Sequence, residues 1–196
     1  EDNVAGLNGG AIDWQSGTTN GMLSYSTFIN NTAYRSGGAV YWYGTNGTVS
    51  YCDFTGNHAK GTVDAHDQGI VTYPTFGGNG GAILWTGSIG KVENTNFTNN
   101  DALHNGGAVY LQSSVDNNCT NTSFTDCIFE SNIAGLNGGA IDWHEGATEG
   151  NVYNSKFINN IANSNGGAIF WSGNNGEIHY SNFTNNTAKG LVADGY

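Results

Sequence analysis

The 196-residue chain is expected to fold as an all-β, right-handed, single-stranded parallel β-helix of about six coils. Gly-Gly-Ala followed by Ile or Val occurs six times, beginning at Gly9, Gly37, Gly80, Gly106, Gly138 and Gly166. Phe-x-x-Asn also occurs six times, beginning at Phe28, Phe54, Phe97, Phe129, Phe157 and Phe183. No window carries a sustained 3.6-residue apolar period, and Gly, Asn, Thr and β-branched residues dominate throughout, which disfavours helices. A unit of about 26 to 32 residues cannot bury its own apolar face, so stacked units must share one core. Propellers and sandwiches would require hairpins with alternating strand polarity and longer units. Right-handed coiling follows by analogy with parallel crossover connections.

Each element of the unit has a physical reason. After Gly-Gly-Ala comes an apolar column, Ile12, Val40, Ile83, Val109, Ile141 and Ile169. Two residues later stand Trp14, Trp42, Trp85, Leu111, Trp143 and Trp171, so all five Trp share one column. Strand alternation puts both columns on one face, expected to be the inner one, with the Trp side chains stacked. The Phe residues make a third inner column. Five residues before them lies a fourth: Leu23, Val49, Val92, Phe124, Val152 and Ile178. Two residues before each Phe the side chain is always small: Ser26, Cys52, Thr95, Cys127, Ser155 or Ser181. Offsets of five and two differ in parity, so a bend or bulge must separate those two columns. Each coil is expected to carry two or three short strands, and about six coils at roughly 4.8 Å make a rod near 30 Å long.

The Asn of Phe-x-x-Asn (Asn31, Asn57, Asn100, Asn132, Asn160 and Asn186) is followed two residues later by Ala in every copy. Asn carries both donor and acceptor, which suits a buried turn that must satisfy its own backbone and the neighbouring coils. The Gly pair suits a corner requiring positive φ or close backbone approach. A longer copy overlies the short one. Shifted by 129 residues, Ala5–Asp67 aligns with Ala134–Tyr196 without a gap, with about half the positions identical. One coil is enlarged by an insertion at 61–77, "GTVDAHDQGIVTYPTFG", which contains the only Pro.

Composition narrows function. Sixteen Asp and Glu against five Lys and Arg give a formal net charge of −11. The chain therefore has no basic footprint for nucleic acid and is repelled by anionic membranes. No run of eighteen apolar residues is present, and no direct membrane insertion by this segment is expected. Three Cys do not make a disulfide scaffold. Cys52 and Cys127 are two coils apart, too far to bridge, whereas Cys119, in a six-residue expansion of the fourth coil, is left as a possible partner of Cys127.

The tandem Gly-Gly-Ala-Ile and Phe-x-x-Asn motifs resemble the repeats of the chlamydial polymorphic membrane proteins, which are autotransporter-type surface adhesins with β-helical passenger regions. They are similar, too, to the large adhesin-like surface proteins of methanogenic archaea, whose Asn-, Thr- and Tyr-rich composition this chain shares. The resemblance covers nearly the whole chain and implies an extracellular, cell-surface location. The single domain, residues 1–196, begins and ends inside repeats and is expected to be a fragment of a longer stalk. It would act as a non-enzymatic adhesin segment, attaching to a surface protein or glycan of another cell. The alternatives are a polysaccharide-binding or polysaccharide-degrading β-helix and a purely structural spacer.

Candidate sites lie outside the inner columns. The residues between Ile and Trp (Asp13, Tyr41, Leu84, Tyr110, Asp142 and Phe170) should point outward. Tyr41, Tyr110 and Phe170 there form a candidate binding strip unless loops cover it. In the insertion, Tyr73 and Phe76 are candidate ligand contacts, and Asp64, His66 and Asp67 a candidate metal set. No cofactor is expected, although Ca²⁺ between turns is left open. Glu93, Glu145, Glu149 and Glu177 recur in no pattern, and Asp13 and Asp142 are four coils apart, so no carboxylate pair for glycoside hydrolysis is expected. Sequons at Asn30, Asn46, Asn96, Asn118, Asn121, Asn182 and Asn185 fit a surface protein.

Overall fold

A computed structural model describes residues 1–61, 77–114 and 118–190. They hold twenty-five short strands and no helix, hence no helix long and apolar enough to cross a membrane. Every coil contributes four strands, more than the two or three expected. These build four parallel sheets, three of six strands and one of seven. The first sheet runs from Ile12–Trp14 to Ile169–Trp171 and the second from Met22–Ser24 to Glu177–His179. The third runs from Thr27–Ile29 to Asn182–Thr184, and the fourth from Val4–Ala5 to Thr187–Ala188. Each strand pairs with its equivalent in the next coil: Phe28 with Phe54, Phe54 with Phe97, Phe97 with Phe129, and so to Phe183. The parallel β-helix read from the repeats is the observed architecture.

The additional strands arise at the bend that parity demanded. One residue in the left-handed conformation separates the second sheet from the third: Tyr25, Tyr51, Asn94, Asp126, Asn154 and Tyr180, with φ of 47 to 54°. A second such corner (Asn30, Gly56, Asn99, Ser131, Asn159, Asn185) joins the third sheet to the fourth. A third (Asn20, Asn46, Ile89, Asn121, Glu149, Asn175) precedes the second sheet. Asn tolerates positive φ better than other non-glycine residues, and these corners account for much of the Asn content. The small column staples the first of them. In all six coils its hydroxyl or thiol donates to the backbone oxygen two residues earlier, as Ser26 does to Ser24 at 2.8 Å and Cys52 to Ser50 at 3.3 Å.

The two glycines of each pair do different work. Gly37 takes φ 65°, whereas a Cβ on Gly38 would collide with the carbonyl oxygen of Gly81 and the backbone of His58. Positive φ and close approach are therefore both required, one at each residue.

Inside, the Phe column is an unbroken stack of six rings, with centroids 4.6 to 5.0 Å apart and planes within 8° of parallel. The Trp column also faces inward. Trp42, Trp85 and Trp143 are fully buried, Trp14, Trp42 and Trp85 stack at 4.6 Å, and Trp143 and Trp171 at 4.1 Å. The fourth coil, with Leu111 in this column, is repacked by two further changes. In the other coils a glycine precedes the second strand because a Cβ there would strike the Trp ring, as at Gly150 against Trp143. Leu111 leaves room for Thr122 in that place, and Phe124 replaces the usual aliphatic residue. Its ring meets Trp143 edge-on at 5.6 Å and Phe129 at 5.7 Å.

The Asn ladder satisfies every polar atom of its middle rungs. Asn100 Oδ1 accepts from the backbone N–H of Asn57 at 3.0 Å and from Asn57 Nδ2 at 2.9 Å. Asn100 Nδ2 donates to Asn132 Oδ1 and to the Phe54 carbonyl, both at 2.9 Å. The same bonds run from Asn3 through Asn186, with steps of 28, 26, 43, 32, 28 and 26 residues. Fully satisfied, such a network fixes register; broken, it leaves costly buried groups. A second ladder, unforeseen in the sequence, precedes the Gly pairs at Asn79, Asn105, Asn137 and Asn165. There the later coil donates to the earlier one, opposite to the first ladder.

Candidate functional site

The outward column of the first sheet is in register as expected, with Tyr41, Leu84, Tyr110, Asp142 and Phe170 in line. It is not an open strip. Leu84, Tyr110 and Asp142 are buried, and Tyr41 and Phe170 half-buried. The turns after the strands fold back over it. His144 lies against Tyr110, with ring centroids 5.3 Å apart, and a 2.7 Å hydrogen bond between Tyr43 and Ser114 spans the third coil. Of the two arrangements left open for Tyr41, Tyr110 and Phe170, an open strip or one covered by loops, the middle of the column has the second: neighbouring turns cover it. Burial raises the Tyr41 phenol above its ordinary value and the Tyr110 phenol well above it. Tyr41 also floors a cleft of about 270 Å³, lined with Leu84, Asn8, Arg35, Asn79 and Gln112.

Asp142 is 0% exposed, and neither carboxylate oxygen has a hydrogen-bond partner among the described residues. His144 Nδ1 stands 3.8 Å from it, at ion-pair rather than hydrogen-bond distance. Burial raises the Asp142 carboxyl, with partial opposition from His144, and Asp142 in turn raises the imidazole. The equivalent residue of the other long copy, Asp13, is exposed and accepts from Gln15 Nε2 at 2.6 Å. Two identical nine-residue segments therefore place the same carboxylate in opposite environments.

Tyr73, Phe76, Asp64, His66 and Asp67 lie outside the described residues. Among the described residues, no three His, Cys, Asp or Glu side chains converge on a common point. All three cysteines are free and buried, so the Cys119–Cys127 pairing is not formed. Burial pushes the thiols of Cys119 and Cys127 up to about 12, which leaves them protonated and unreactive. The Asn residues of all seven sequons are exposed.

Exposed aromatic side chains occur at a position the sequence reading did not single out, the left-handed corner between the second and third sheets. Tyr25 and Tyr180 are each 80% exposed and Tyr51 is 52% exposed. Tyr25 and Tyr51 stack at 5.0 Å with planes 2° apart; Tyr153 meets Tyr180 edge-on at 5.2 Å. Positive φ is a strained choice for a bulky residue, costing about 1 kcal/mol or more. Asn94, Asp126 and Asn154 hold the same corner in the other coils. A signal was present: three Tyr share the column three residues before Phe, at the bend parity required.

Three segments of the chain, residues 25–41, 94–112 and 126–142, match the model of the Chlamydia polymorphic membrane protein (Chlamydia_PMP) repeat. Each begins at or beside that corner and runs through the Phe stack, the Asn ladder, the Ala column and the Gly pair into the next first-sheet strand. No curated protein and no solved structure matches the chain. The repeat and the solenoid together fit a surface-protein or adhesin-like role. The chain is a parallel β-solenoid, three segments of which are similar to the Chlamydia polymorphic membrane protein repeat.

Proposed function

We propose that this chain is a rigid segment of an extracellular adhesin. It holds attachment residues away from the cell that bears it and presents them to a surface protein or glycan of another cell. The observation that carries this reading is the contrast between inside and outside: inner columns repeat in coil after coil, whereas the corners and the insertion differ. A scaffold with variable exposed positions suits recognition rather than catalysis. In this reading no cofactor takes part, and the 61–77 insertion is a second place for contacts.

The test is binding of the labelled whole chain to candidate partner cells, measured by flow cytometry beside a variant lacking 62–76. Saturable binding by the whole chain supports the adhesin reading, and weaker binding by the variant locates part of the contact in the insertion. Absence of binding to every cell type tried leaves the spacer reading in its place.

A further inference from the structure

We propose that the ridge formed by the left-handed corners between the second and third sheets is a binding site for a neutral saccharide chain. Tyr51 and Tyr180 are its aromatic contacts, with Tyr25 and Tyr153 as their supports. This rests on the adhesin reading and names a ligand class for it.

The backbone supplies the first argument. Six coils need positive φ at this corner, and three meet the need with Asn94, Asp126 and Asn154, the residue types that suit it. Tyr25, Tyr51 and Tyr180 accept the same φ with a bulky side chain that is at least half exposed. They bury little in return, and strain retained at exposed residues points to a use for them. Geometry supplies the second argument. The Tyr25 and Tyr51 rings are stacked with planes parallel to within 2° at one coil's spacing, so their ring faces look along the axis of the rod. Tyr25 covers one face of Tyr51. Beyond the other face the corner residue falls to Asn94, then Asp126, then Asn154, before Tyr180 rises again in the sixth coil. The result is a notch between Tyr51 and Tyr180, four coil steps or about 19 Å apart, with amides and a carboxylate along its floor and Tyr153 of the fifth coil edge-on to Tyr180 at its far end. Asn154 donates to Asp126 there.

A pyranose presents a face of C–H groups and an edge of hydroxyls. The face packs on the electron-rich face of a phenol ring, and the hydroxyls find donors and acceptors in Asn94, Asp126 and Asn154. Charge selects among saccharides. The chain carries −11 overall, and Asp126, Glu93 and Asp53 stand on or beside the ridge, so a polyanionic glycan is repelled.

Affinity electrophoresis of the whole chain through gels containing a soluble β-glucan, a mannan or polygalacturonate tests the assignment, beside the variant Tyr51→Asn/Tyr180→Asn. The expected result is retardation by at least one neutral polymer and none by polygalacturonate, with affinity at least tenfold weaker in the variant. Because Asn suits the corner, the variant's Tm should be unchanged or about 2–4 °C higher. Retardation by polygalacturonate alone, by none of the polymers, or equally in both proteins overturns the proposal, as does a lower Tm in the variant. Undiminished binding of the variant to partner cells would leave the adhesin reading standing while removing the saccharide ridge.

Discussion

Two columns climb this rod three residues apart in every coil, and they follow different rules. Phe28 to Phe183 is invariant: its rings are stacked inside, where each is floor to one neighbour and roof to the other. Tyr25 to Tyr180 changes between Tyr, Asn and Asp, because only its backbone conformation is dictated and its side chain is in solvent. Invariance among the coils of one chain therefore marks what the scaffold requires. Variation marks what it leaves available, and the proposed saccharide contacts lie on the variable column.

Removing a rung of the Phe stack should have the largest effect. Phe97→Ala empties a fully buried place between Phe54 and Phe129 and should cost about 3–5 kcal/mol, read as a lower urea midpoint. A loss no larger than that of a surface substitution would deny the inner column its role.

The fourth coil is the one in which the Trp column changes, to Leu111. Leu111→Trp should cost about 1–3 kcal/mol by overpacking against Thr122 and Phe124. Adding Thr122→Gly and Phe124→Val, which restore the arrangement of the other coils, should recover most of it. Strict additivity of the three substitutions in urea unfolding would show that they do not compensate one another.

The smallest expected effect is of pH. The Asp101 carboxylate, 3.0 Å from His58 Nδ1, raises the His58 imidazole, and Asp142 raises His144. A raised folded-state value gives stability that is present below the ordinary histidine range and fades as pH rises through the folded value. The raised Asp142 acts with the same sign, from its ordinary carboxyl range upward. Tm should therefore decline slightly between about pH 5 and 8, only slightly because both imidazoles are half exposed and screened. The decline should flatten in His58→Gln/Asp142→Asn. A Tm that climbs across this interval would contradict the assignment.

The repeats made the fold legible because parallel stacking copies each inner requirement once per coil. Gly-Gly-Ala, the Trp and Phe columns and Asn-x-Ala could be read as contacts before any coordinates. Parity even located the bend. The number of strands was less legible, because a single left-handed residue divides one apparent strand into two and hydropathy does not register it. The exposure of the outward column was left open for another reason. Alternation says which way Tyr110 points but nothing of the turns that fold over it, and those turns have no repeated sequence. Three Tyr share the column of the tyrosine ridge in the sequence, but the backbone strain that sets them apart is visible only once φ at Tyr51 and Asn94 can be compared.

Successive coils lie parallel and in register, and the alanine column reports on that arrangement along the rod. Ala33, Ala59, Ala102, Ala134 and Ala162 are each paired with the next. In a methyl-labelled sample, NOESY spectra should show a single chain of methyl–methyl contacts linking these five residues in that order. Contacts that skip a coil, or that join these methyls to strands running the opposite way, would contradict the account.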